Sequence, residues 1–513
     1  MSTSTATAPG RNTARPRQDA RRWWALSVIA LAQLMMVLDA TIMSIALPSA
    51  QPNLGLTDGT RQWVVTAYTV AFGGLLLVGG RVADRVGRKR AFVVGLVGFG
   101  AASAVGGAAT GPAMLFAARA GQGCFAALLA PSALSLLATT FTDGKERAKA
   151  FGVFGALAAA GGGIGLLLGG VLTQYLDWHW CLYVNVAIAA TGVVGAPFFL
   201  DHRAGHRAAG FDGPGIVLGS SGLVTVVYAV SRAESDGWLS GTVLPLLAGG
   251  VVLLAAFTWR QARAASPLLP LRIIASRAHG GPMLTLCLAM VGLFGAFFFL
   301  TYYLQNVLGY SALKSGFAFL PMSATILLTS TQLSARLLAR VAPRLMIAPG
   351  LAIASLGMLT FTTLSTHSAY ATHVLPGAVL LGFGMGLVFM PVMATATAGV
   401  APQDAGVTSA AVSTAQQVGG SIGTALLNTI ATSSTSHWIS THLAGNGGAQ
   451  ATSTQRQAIV HAGAVHGFTT AFWWAAAIML AGALAAAVVI DVPSPRHRAC
   501  RRSLNLDPFG ARP

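Results

Sequence analysis

Runs of about twenty apolar residues recur along the whole 513-residue chain and restrict its fold more than any other feature. A helix of about that length is needed to cross the hydrocarbon core of a bilayer. Only 9% of the residues are charged, whereas a soluble domain carries about 25%. The sequence therefore predicts an all-α, polytopic membrane protein with fourteen transmembrane helices, near residues 23–48, 62–80, 91–110, 113–138, 150–173, 181–200, 214–231, 241–259, 282–304, 315–334, 345–365, 372–396, 405–430 and 467–490.

The positive charge is concentrated in alternate connections between these runs. Most of the 32 Lys and Arg residues lie in the two tails or near residues 81–90, 145–149, 203–207, 260–277 and 336–344. Because basic loops stay cytoplasmic, both termini are predicted to be cytoplasmic. The net charge of +18 then reflects membrane topology and not nucleic-acid binding, which would need a basic domain with interleaved aromatic residues. The abundance of Arg, Ala and Gly is typical of a GC-rich bacterium. Together with the spans, this composition predicts a multi-pass protein of the cytoplasmic (inner) membrane of a bacterium.

An internal repeat divides the chain. The segment "ARLLARVAPRL" at 335–345 echoes "GRVADRVGRKR" at 80–90, and Pro131 in one half corresponds to Pro391 in the other. Two parallel six-helix repeats with a path between them are typical of an alternating-access transporter. The predicted organisation is a disordered cytoplasmic tail (1–22), an N-terminal six-helix bundle (23–200), two inserted transmembrane helices with cytoplasmic loops (201–277), a C-terminal six-helix bundle (278–492) with an extracytoplasmic loop (431–466), and a cytoplasmic tail (493–513).

Two charged residues lie inside predicted spans. Asp39 follows about sixteen apolar residues of the first span, with no base near it in sequence, so an unpaired carboxylate in a low dielectric is expected to exchange protons. Arg119 in the fourth span stays protonated at physiological pH. It is therefore either a fixed charge that tunes an acid or a substrate, or a side chain that reaches out to the membrane interface. For Asp39 the structural alternative is a hydrogen bond within a kinked helix.

The stretch "GRVADRVGRKR" places an acid among five bases. Basic residues alone would set the topology, so Asp84 needs another explanation. With a tight turn at Gly87, Asp84 and Arg88 are predicted to bind across helices to the partner bundle, as a latch that closes in one arrangement and opens in another. Gly80 belongs to the same element.

The fifth span, "GVFGALAAAGGGIGLLLGG", has small residues at nearly helical spacing, which allows a neighbouring helix to pack close to its backbone. The residues concerned are Gly152, Gly161, Gly165, Gly169 and Gly170. Packing without a mechanistic role is the simpler alternative.

At these residues the sequence resembles the major facilitator superfamily, and more closely its fourteen-span drug:proton antiporters. "GRVADRVGRKR" is similar to the signature between spans two and three, "LDATIMSIALPSA" to the first-span motif, and "RAGQG" to the fourth-span motif linked to proton coupling. The glycine span resembles the antiporter signature, except that Leu166 occupies its proline position. The resemblance covers about residues 20–492.

The resemblance implies a proton-driven exporter of lipophilic drugs or antibiotics, which works by alternating access and is not an enzyme. The alternatives are a dedicated exporter of one endogenous metabolite or self-made antibiotic, an uptake symporter, and a non-transporting membrane sensor. No nucleotide-binding loop is present in the sequence, so the expected energy source is a proton gradient, with no cofactor and no metal. The expected partners are a lipophilic or cationic small molecule and the lipid bilayer, and the protein is expected to act as a monomer.

A substrate cavity is predicted between the bundles. Met35 and Met43 lie one helical turn either side of Asp39, and methionine suits a pocket that accepts different ligands. The predicted lining is completed from the second half by Tyr302, Gln305, Gln416 and Gln417. Lipid-facing or helix-packing roles are the alternatives for all six.

Overall fold

The structure is a computed structural model of the chain. It describes residues 15–56, 60, 63–201, 212–264, 267, 269–338, 340–401, 404–445 and 453–490. Within these ranges every regular element is a helix, as the hydropathy predicts.

The α-helices, in chain order, are α1 (Arg15–Leu54), α2 (Trp63–Val86), α3 (Arg88–Gly107), α4 (Pro112–Thr140), α5 (Gly144–Tyr175), α6 (Trp180–Phe199), α7 (Gly213–Asp236), α8 (Val243–Arg263), α9 (Leu271–Ala275), α10 (Gly280–Tyr302), α11 (Ala312–Leu328), α12 (Ala335–Leu338), α13 (Arg344–Phe361), α14 (Leu375–Ala396), α15 (Ala405–Gly445) and α16 (Ser453–Val489). Three π-helical turns, Tyr303–Val307, Thr329–Ser334 and Tyr370–Val374, continue or precede α10, α11 and α14.

Local sequence sets several of the helix boundaries. Gly87 separates α2 from α3 and has a φ of +100°, which a residue with a β-carbon rarely adopts. Pro112 occupies the first turn of α4, where its missing N–H costs nothing. Asp212 begins α7, and its side chain accepts a hydrogen bond from the Gly215 N–H. The sequence thus ends each helix where the next one has to reverse direction.

The expected count of fourteen spans is not confirmed. Twelve of the described helices are long and apolar enough to cross a membrane, and thirteen if bent α5 is one span. Helix α15 is not among them, although it covers the whole predicted run 405–430, because it is rich in Ser, Thr, Gln and Gly. It nevertheless extends from one end of the bundle to the other, since Gly406 N binds Asp84 while Thr429 accepts a hydrogen bond from Trp238.

The helices pack as two groups joined along two seams. Helices α1–α6 pack on one another, as do α10, α11 and α13–α16. One seam joins α2 and α4 to α15, and the other joins α5 to α11 and α14. The inserted helices α7 and α8 pack on each other, and α7 also lies against both α2 and α15. The inserted pair therefore covers the first seam from outside.

Hydrogen bonds identify the connections that share one end of the bundle. Arg81 Nη2 donates to the Pro267 carbonyl oxygen at 3.3 Å, and Arg147 Nη2 donates to the Thr397 carbonyl oxygen at 3.1 Å. Arg272 pairs with Asp404 at 2.7 Å. These contacts bring together the α2–α3, α4–α5, α8–α10 and α14–α15 connections. This basic end, as we call it, holds the latch sequence.

Two segments predicted to lack structure are helical. Helix α1 begins at Arg15, so residues 15–22 of the predicted tail continue the first span, while residues 1–14 and 491–513 lie outside the described residues. The predicted loop 431–466 is helical over 431–445 and 453–466. Its polar composition is typical of a loop, but α15 and α16 continue side by side, so close that a β-carbon added at Gly463 would lie 2.6 Å from Ile439. Tertiary packing stabilises these helical ends.

Candidate functional site

Asp39 on α1 and Arg119 on α4 form a buried ion pair. Arg119 Nη1 lies 2.6 Å from Asp39 Oδ2, and neither side chain is more than 1% exposed. The sequence predicts an unpaired acid, because Arg119 lies eighty positions away in the chain. The packing of α4 against α1 brings this base to Asp39, so the prediction of an unpaired carboxylate is wrong. Arg119 therefore does not reach out to the membrane interface, and the pair is electrically neutral in the conformation observed.

The carboxylate of Asp39 accepts hydrogen bonds at both oxygens. Its Oδ1 atom accepts from Gln122 Nε2 at 2.9 Å and from Asn185 Nδ2 at 2.8 Å, while Oδ2 binds Arg119. Gln122 Nε2 also donates to Ser103 Oγ at 2.7 Å. All five side chains are buried, and together we call them the Asp39 cluster.

Arg119 is held by more than the acid. Its Nε atom donates to the Val64 carbonyl oxygen at 3.0 Å, and Nη1 also donates to Gln122 Oε1 at 2.8 Å. The guanidinium lies 4.6 Å from the centre of the Tyr68 ring. A buried ion pair is stable only when its remaining donors and acceptors are satisfied. The Asp39 cluster meets that requirement and links α1, α2, α3, α4 and α6.

Sequence reasoning missed Gln122, Ser103 and Asn185. Gln122 follows Arg119 by one helical turn in "RAGQG", and Asn185 is an amide in the apolar run "CLYVNVAIAA". Both were detectable as polar side chains inside predicted spans, where polar groups need partners. Neutral amides and hydroxyls interrupt an apolar run less sharply than charges do, so the pattern of charge alone does not indicate them.

The glycine span packs against the helix that carries Asp39. A β-carbon at Gly161 would lie 2.9 Å from Val37, and one at Gly169 would lie 3.1 Å from Ile42. Gly165 faces Thr41 still more closely. Small residues at this spacing therefore let α5 approach the backbone of α1 on both sides of Asp39.

Other positions of α5 face the second half. The Gly152 carbonyl oxygen accepts a hydrogen bond from Ser330 Oγ at 3.0 Å, and a β-carbon at Gly163 would lie 2.6 Å from Ser323 Oγ. Gly170 is buried as well. The helix bends by 46° between Glu146–Ala158 and Gly161–Tyr175, ahead of buried Leu166. The bend therefore exists without the proline that the antiporter signature places at residue 166.

The latch residues meet the second half at the basic end. Asp84 Oδ1 accepts a hydrogen bond from the Gly406 N–H at 3.0 Å, and Oδ2 accepts one from the Val407 N–H at 3.2 Å. These N–H groups belong to the first turn of α15, where a helix offers unpaired donors and partial positive charge. Arg88 lies 3.5 Å from the same carboxylate. The Asp84 carboxylate therefore contacts the second half across the seam, and its action as a latch stays a prediction.

Gly80 lets the two halves approach at the latch. A β-carbon there would lie 2.6 Å from Ala410 Cβ and 2.8 Å from the Gly406 carbonyl oxygen. Gly87 supplies the turn between α2 and α3, and Arg88, directly after this turn, pairs with Asp84. The basic end is closed in this structure.

The six predicted cavity residues lie in different surroundings. Met35 and Met43 are buried in hydrophobic cores and present no surface in this conformation. Tyr302 is 48% exposed and packs against Phe298 and Phe468. The remaining three, Gln305, Gln416 and Gln417, are half-buried, and Gln417 faces Gly73 across the seam between α2 and α15. Their role in substrate binding stays a prediction.

Similar proteins are known from bacteria and from solved structures. The model of the Major Facilitator Superfamily matches residues 29–424. The chain is 50% identical to the "Puromycin resistance protein pur8" of Streptomyces alboniger over 92% of each chain. It is 42% identical to the "Cephamycin export protein CmcT" of Amycolatopsis lactamdurans, over 80% of this chain and 85% of that one. With the "Multidrug efflux pump LfrA" of Mycolicibacterium smegmatis it shares 32% identity, over 81% and 82%.

The fold is similar to that of a crystallised human transporter. The human organic anion transporter MFSD10 (TETRAN) superposes with a TM-score of 0.61 at 15% identity, over 91% of this chain and 99% of that one. At this identity the likeness concerns the fold alone. The bundle of helices, the sequence match over most of the chain and the curated relatives agree: the protein is a multi-pass member of the major facilitator superfamily.

Proposed function

We propose that this protein is a proton-driven antiporter that exports an antibiotic or another lipophilic drug across the bacterial cytoplasmic membrane. The observation that carries the proposal is the Asp39 cluster: an acid that is 0% exposed, held by Arg119 at membrane depth. Ionisable groups inside a membrane are costly and are typical of ion pathways. A fixed guanidinium cannot carry a proton, which leaves Asp39 as the carrier.

Protonation of Asp39 changes how the first half is held together. A neutral carboxylic acid no longer attracts Arg119 as an ion, and the guanidinium becomes an uncompensated buried charge, which favours a rearrangement of α4 against α1. Helix α1 is in contact with α5 along the glycine face, and α5 in turn contacts the second half. A change at Asp39 therefore has a continuous packed route to the seam.

Competition between proton and substrate is expected to act through conformation. In the structure both Asp39 oxygens are occupied by three donors and the residue is inaccessible. A drug therefore has no direct contact with Asp39 in this conformation. We infer that substrate binds in the arrangement open at the basic end, that the closed arrangement releases it on the other side, and that proton uptake by Asp39 favours the return.

The direction of export rests on topology. Positive charge close to span ends remains cytoplasmic, so we assign the basic end and both termini to the cytoplasm. The latch at Asp84 then closes the cytoplasmic side, and its release admits substrate from the cytoplasm or the inner leaflet.

A dedicated exporter of one antibiotic is the second candidate. It is favoured by the names of two relatives, which refer to puromycin resistance and to cephamycin export. The multidrug candidate is favoured by the relative named as a multidrug efflux pump. The two candidates share the mechanism and differ in the breadth of the cavity. We propose no chemical conversion of the substrate in either case.

Transport into everted vesicles tests the proposal. Vesicles containing the wild type are energised to an acidic interior, and uptake of puromycin and of the cationic dye ethidium is followed with and without an uncoupler. Uptake is expected to need the gradient and to be lost in Asp39→Asn. The matched control is Asp236→Asn, which makes the same chemical change outside the cluster, where the pair with Arg232 is exposed.

The outcomes separate the candidates. Uptake of both probes indicates a multidrug pump, and uptake of puromycin alone indicates a dedicated exporter. Transport that continues in Asp39→Asn, or that survives the uncoupler, contradicts the proposed proton coupling.

A further inference from the structure

We propose that the side-chain amide of Asn185 reverses its orientation when Asp39 is protonated. After the reversal, the Oδ1 atom of Asn185 accepts a hydrogen bond from the new hydroxyl of Asp39. The inference rests on the proposed proton coupling at Asp39. It concerns a positioning residue, because Asn185 carries no proton between the two sides itself. The geometry that supports it is the Oδ1 atom of Asn185, which has no hydrogen-bond partner among the described residues.

The observed arrangement suits only the ionised acid. Three N–H donors, from Arg119, Gln122 and Asn185, point at the two Asp39 oxygens. A carboxylate can only accept, whereas a protonated carboxyl group must also donate. Wherever the proton is added, its O–H meets an N–H. At least one partner must therefore change from donor to acceptor.

Arg119 and Gln122 are unable to make that change. A guanidinium has five N–H donors and no acceptor. Gln122 Oε1 accepts from Arg119 at 2.8 Å while its Nε2 donates to Ser103 Oγ at 2.7 Å. Reversing this amide would turn N–H groups towards Arg119 and lose that bond. The orientation of Gln122 is thus fixed by a neighbour that always donates.

Asn185 is the remaining partner, and its other end is unused. Its Oδ1 atom is buried and has no hydrogen-bond partner among the described residues, while Nδ2 donates to Asp39 Oδ1 at 2.8 Å. An unpaired buried acceptor costs free energy and calls for an explanation. Reversal of the amide would place Oδ1 where it accepts the Asp39 hydroxyl and would leave Nδ2 unpaired in its stead. The number of unpaired atoms stays the same, so the amide can follow the proton at little cost.

The charged and titratable surroundings leave this assignment intact. Arg119 on α4 and Tyr68 on α2 face Asp39, and the Tyr68 ring is engaged with the guanidinium. Helix α5 presents Gly161 and Gly165 on its side of α1. Helix α6 contributes the amide of Asn185. The groups that surround the reversing amide and Asp39 are therefore one cation, one tyrosine ring and the glycines of α5.

Infrared difference spectroscopy of the purified full-length protein tests the inference. Spectra at acidic and alkaline pH contain the C=O band of any carboxyl group that becomes protonated, and the Asp39 band is the one that disappears in Asp39→Asn. In Asn185→Leu, which has similar volume and no acceptor, this band is expected to move to higher frequency because the hydroxyl has lost its partner. Proton-coupled export of puromycin is expected to fall about fivefold, as for the loss of one hydrogen bond.

Ser103→Ala is the matched control, since it removes a polar member of the cluster that does not touch Asp39. The control is expected to leave the band in place, and an equal shift in both variants would overturn the assignment. An Asp39 band that stays unshifted in Asn185→Leu would also overturn it, while the proposed proton coupling would stand. Absence of any Asp39-dependent band in the wild type would instead refute the coupling itself.

A second measurement uses the unaltered protein, in case Asn185→Leu fails to fold. Wild type labelled with ¹³C at the asparagine side-chain carbonyl is compared with unlabelled protein. An asparagine C=O band that shifts with protonation of Asp39, and that no longer shifts in Asp39→Asn, is the expected result. Label-sensitive bands that are the same at both pH values would contradict the reversal.

Discussion

Replacement of Asp84 by Asn should open the basic end. The wild-type carboxylate accepts one N–H at each oxygen, at 3.0 Å from Gly406 and 3.2 Å from Val407. An amide offers a single oxygen, so one bond to a charged group is lost, worth about 1.5–3 kcal/mol. The attraction between the charge and the helix terminus, up to about 2 kcal/mol when partly buried, is lost too.

Burying a neutral amide costs less desolvation free energy than burying a carboxylate, so part of the lost stabilisation of the closed arrangement is offset. A net change of about 2 kcal/mol is reasonable, and it corresponds to about a thirtyfold rise in the ratio of open to closed protein at the basic end. The change concerns an equilibrium between two folded arrangements, so thermal stability and the affinity for substrate in the open form should change little.

Spin-label distance measurements across the seam provide the assay. Labels at Val86→Cys and Leu345→Cys, both exposed, report the separation of the two halves in a cysteine-free background. The longer-distance population should grow in Asp84→Asn. The matched control is Arg272→Gln, which removes the ion pair to Asp404 in the same region; because Arg272 is 71% exposed, the effect should stay below about 1 kcal/mol. Identical distance distributions in Asp84→Asn and wild type, or an equal effect of the control, would refute the reasoning.

Four other changes have defined outcomes. Arg119→Lys keeps the charge but loses several hydrogen bonds of the guanidinium. Proton-coupled export in a vesicle transport assay should therefore fall at least tenfold, which is on the order of 1.4 kcal/mol or more. Export at the wild-type rate would contradict this. Gly80→Val forces the halves apart at the latch and should enlarge the same long-distance spin-label population as the Asp84 substitution, and an unaltered population would count against the contact. Gly165→Ala crowds Thr41 within the first half and should destabilise the protein by about 1–3 kcal/mol, which would be measured as a lower melting temperature in detergent. An unchanged melting temperature would show that α1 and α5 can separate freely. Burial raises the pKa of Asp212, but hydrogen bonds from Gly215, Arg260 and Gln261 outweigh that effect, so this pKa lies below that of an ordinary Asp. The stabilising contribution of the carboxylate is therefore complete above the ordinary Asp pKa and decreases as the pH falls towards the lower folded-state pKa. Asp212→Asn should lower the melting temperature at pH 7, and the difference from the wild type should shrink as the pH falls below the ordinary Asp pKa.

The sequence predicts the charged part of the site and misses its neutral part. Asp39 and Arg119 stand out because each interrupts a long apolar run, and their pairing follows once α1 and α4 are packed together. Gln122 and Asn185 carry no charge, and only the crossing of helices shows that both reach the same carboxylate. Which side chains meet inside a bundle depends on helix rotation, which hydropathy leaves open.

The limits of hydropathy also explain where the fold predicted from the sequence is wrong. Hydropathy locates helices that are apolar along their length, so it describes α10 or α14 well and treats the Ser- and Thr-rich part of α15 beyond residue 430 as a loop. That part is helical because it packs on α16 beside Gly463 and Gly467. Packing along one side of this stretch is enough to hold it as a helix while its other sides stay exposed, and composition alone cannot separate such a helix from a loop.

The inserted helices cover only one of the two seams, so the two seams differ in how accessible they are from the lipid. Helix α7 lies over the seam between α2 and α15, and Gly74 of α2 is in close contact with Val224. A lipophilic molecule dissolved in the bilayer meets a wall there, so the route from lipid to the centre should run along α5 and α11 instead. A photoreactive hydrophobic probe should accordingly label α11 in preference to α15; preferential labelling of α15 would show that the inserted pair is no barrier. A substrate taken up from the lipid would then reach the centre of the protein from one side only, between α5 and α11.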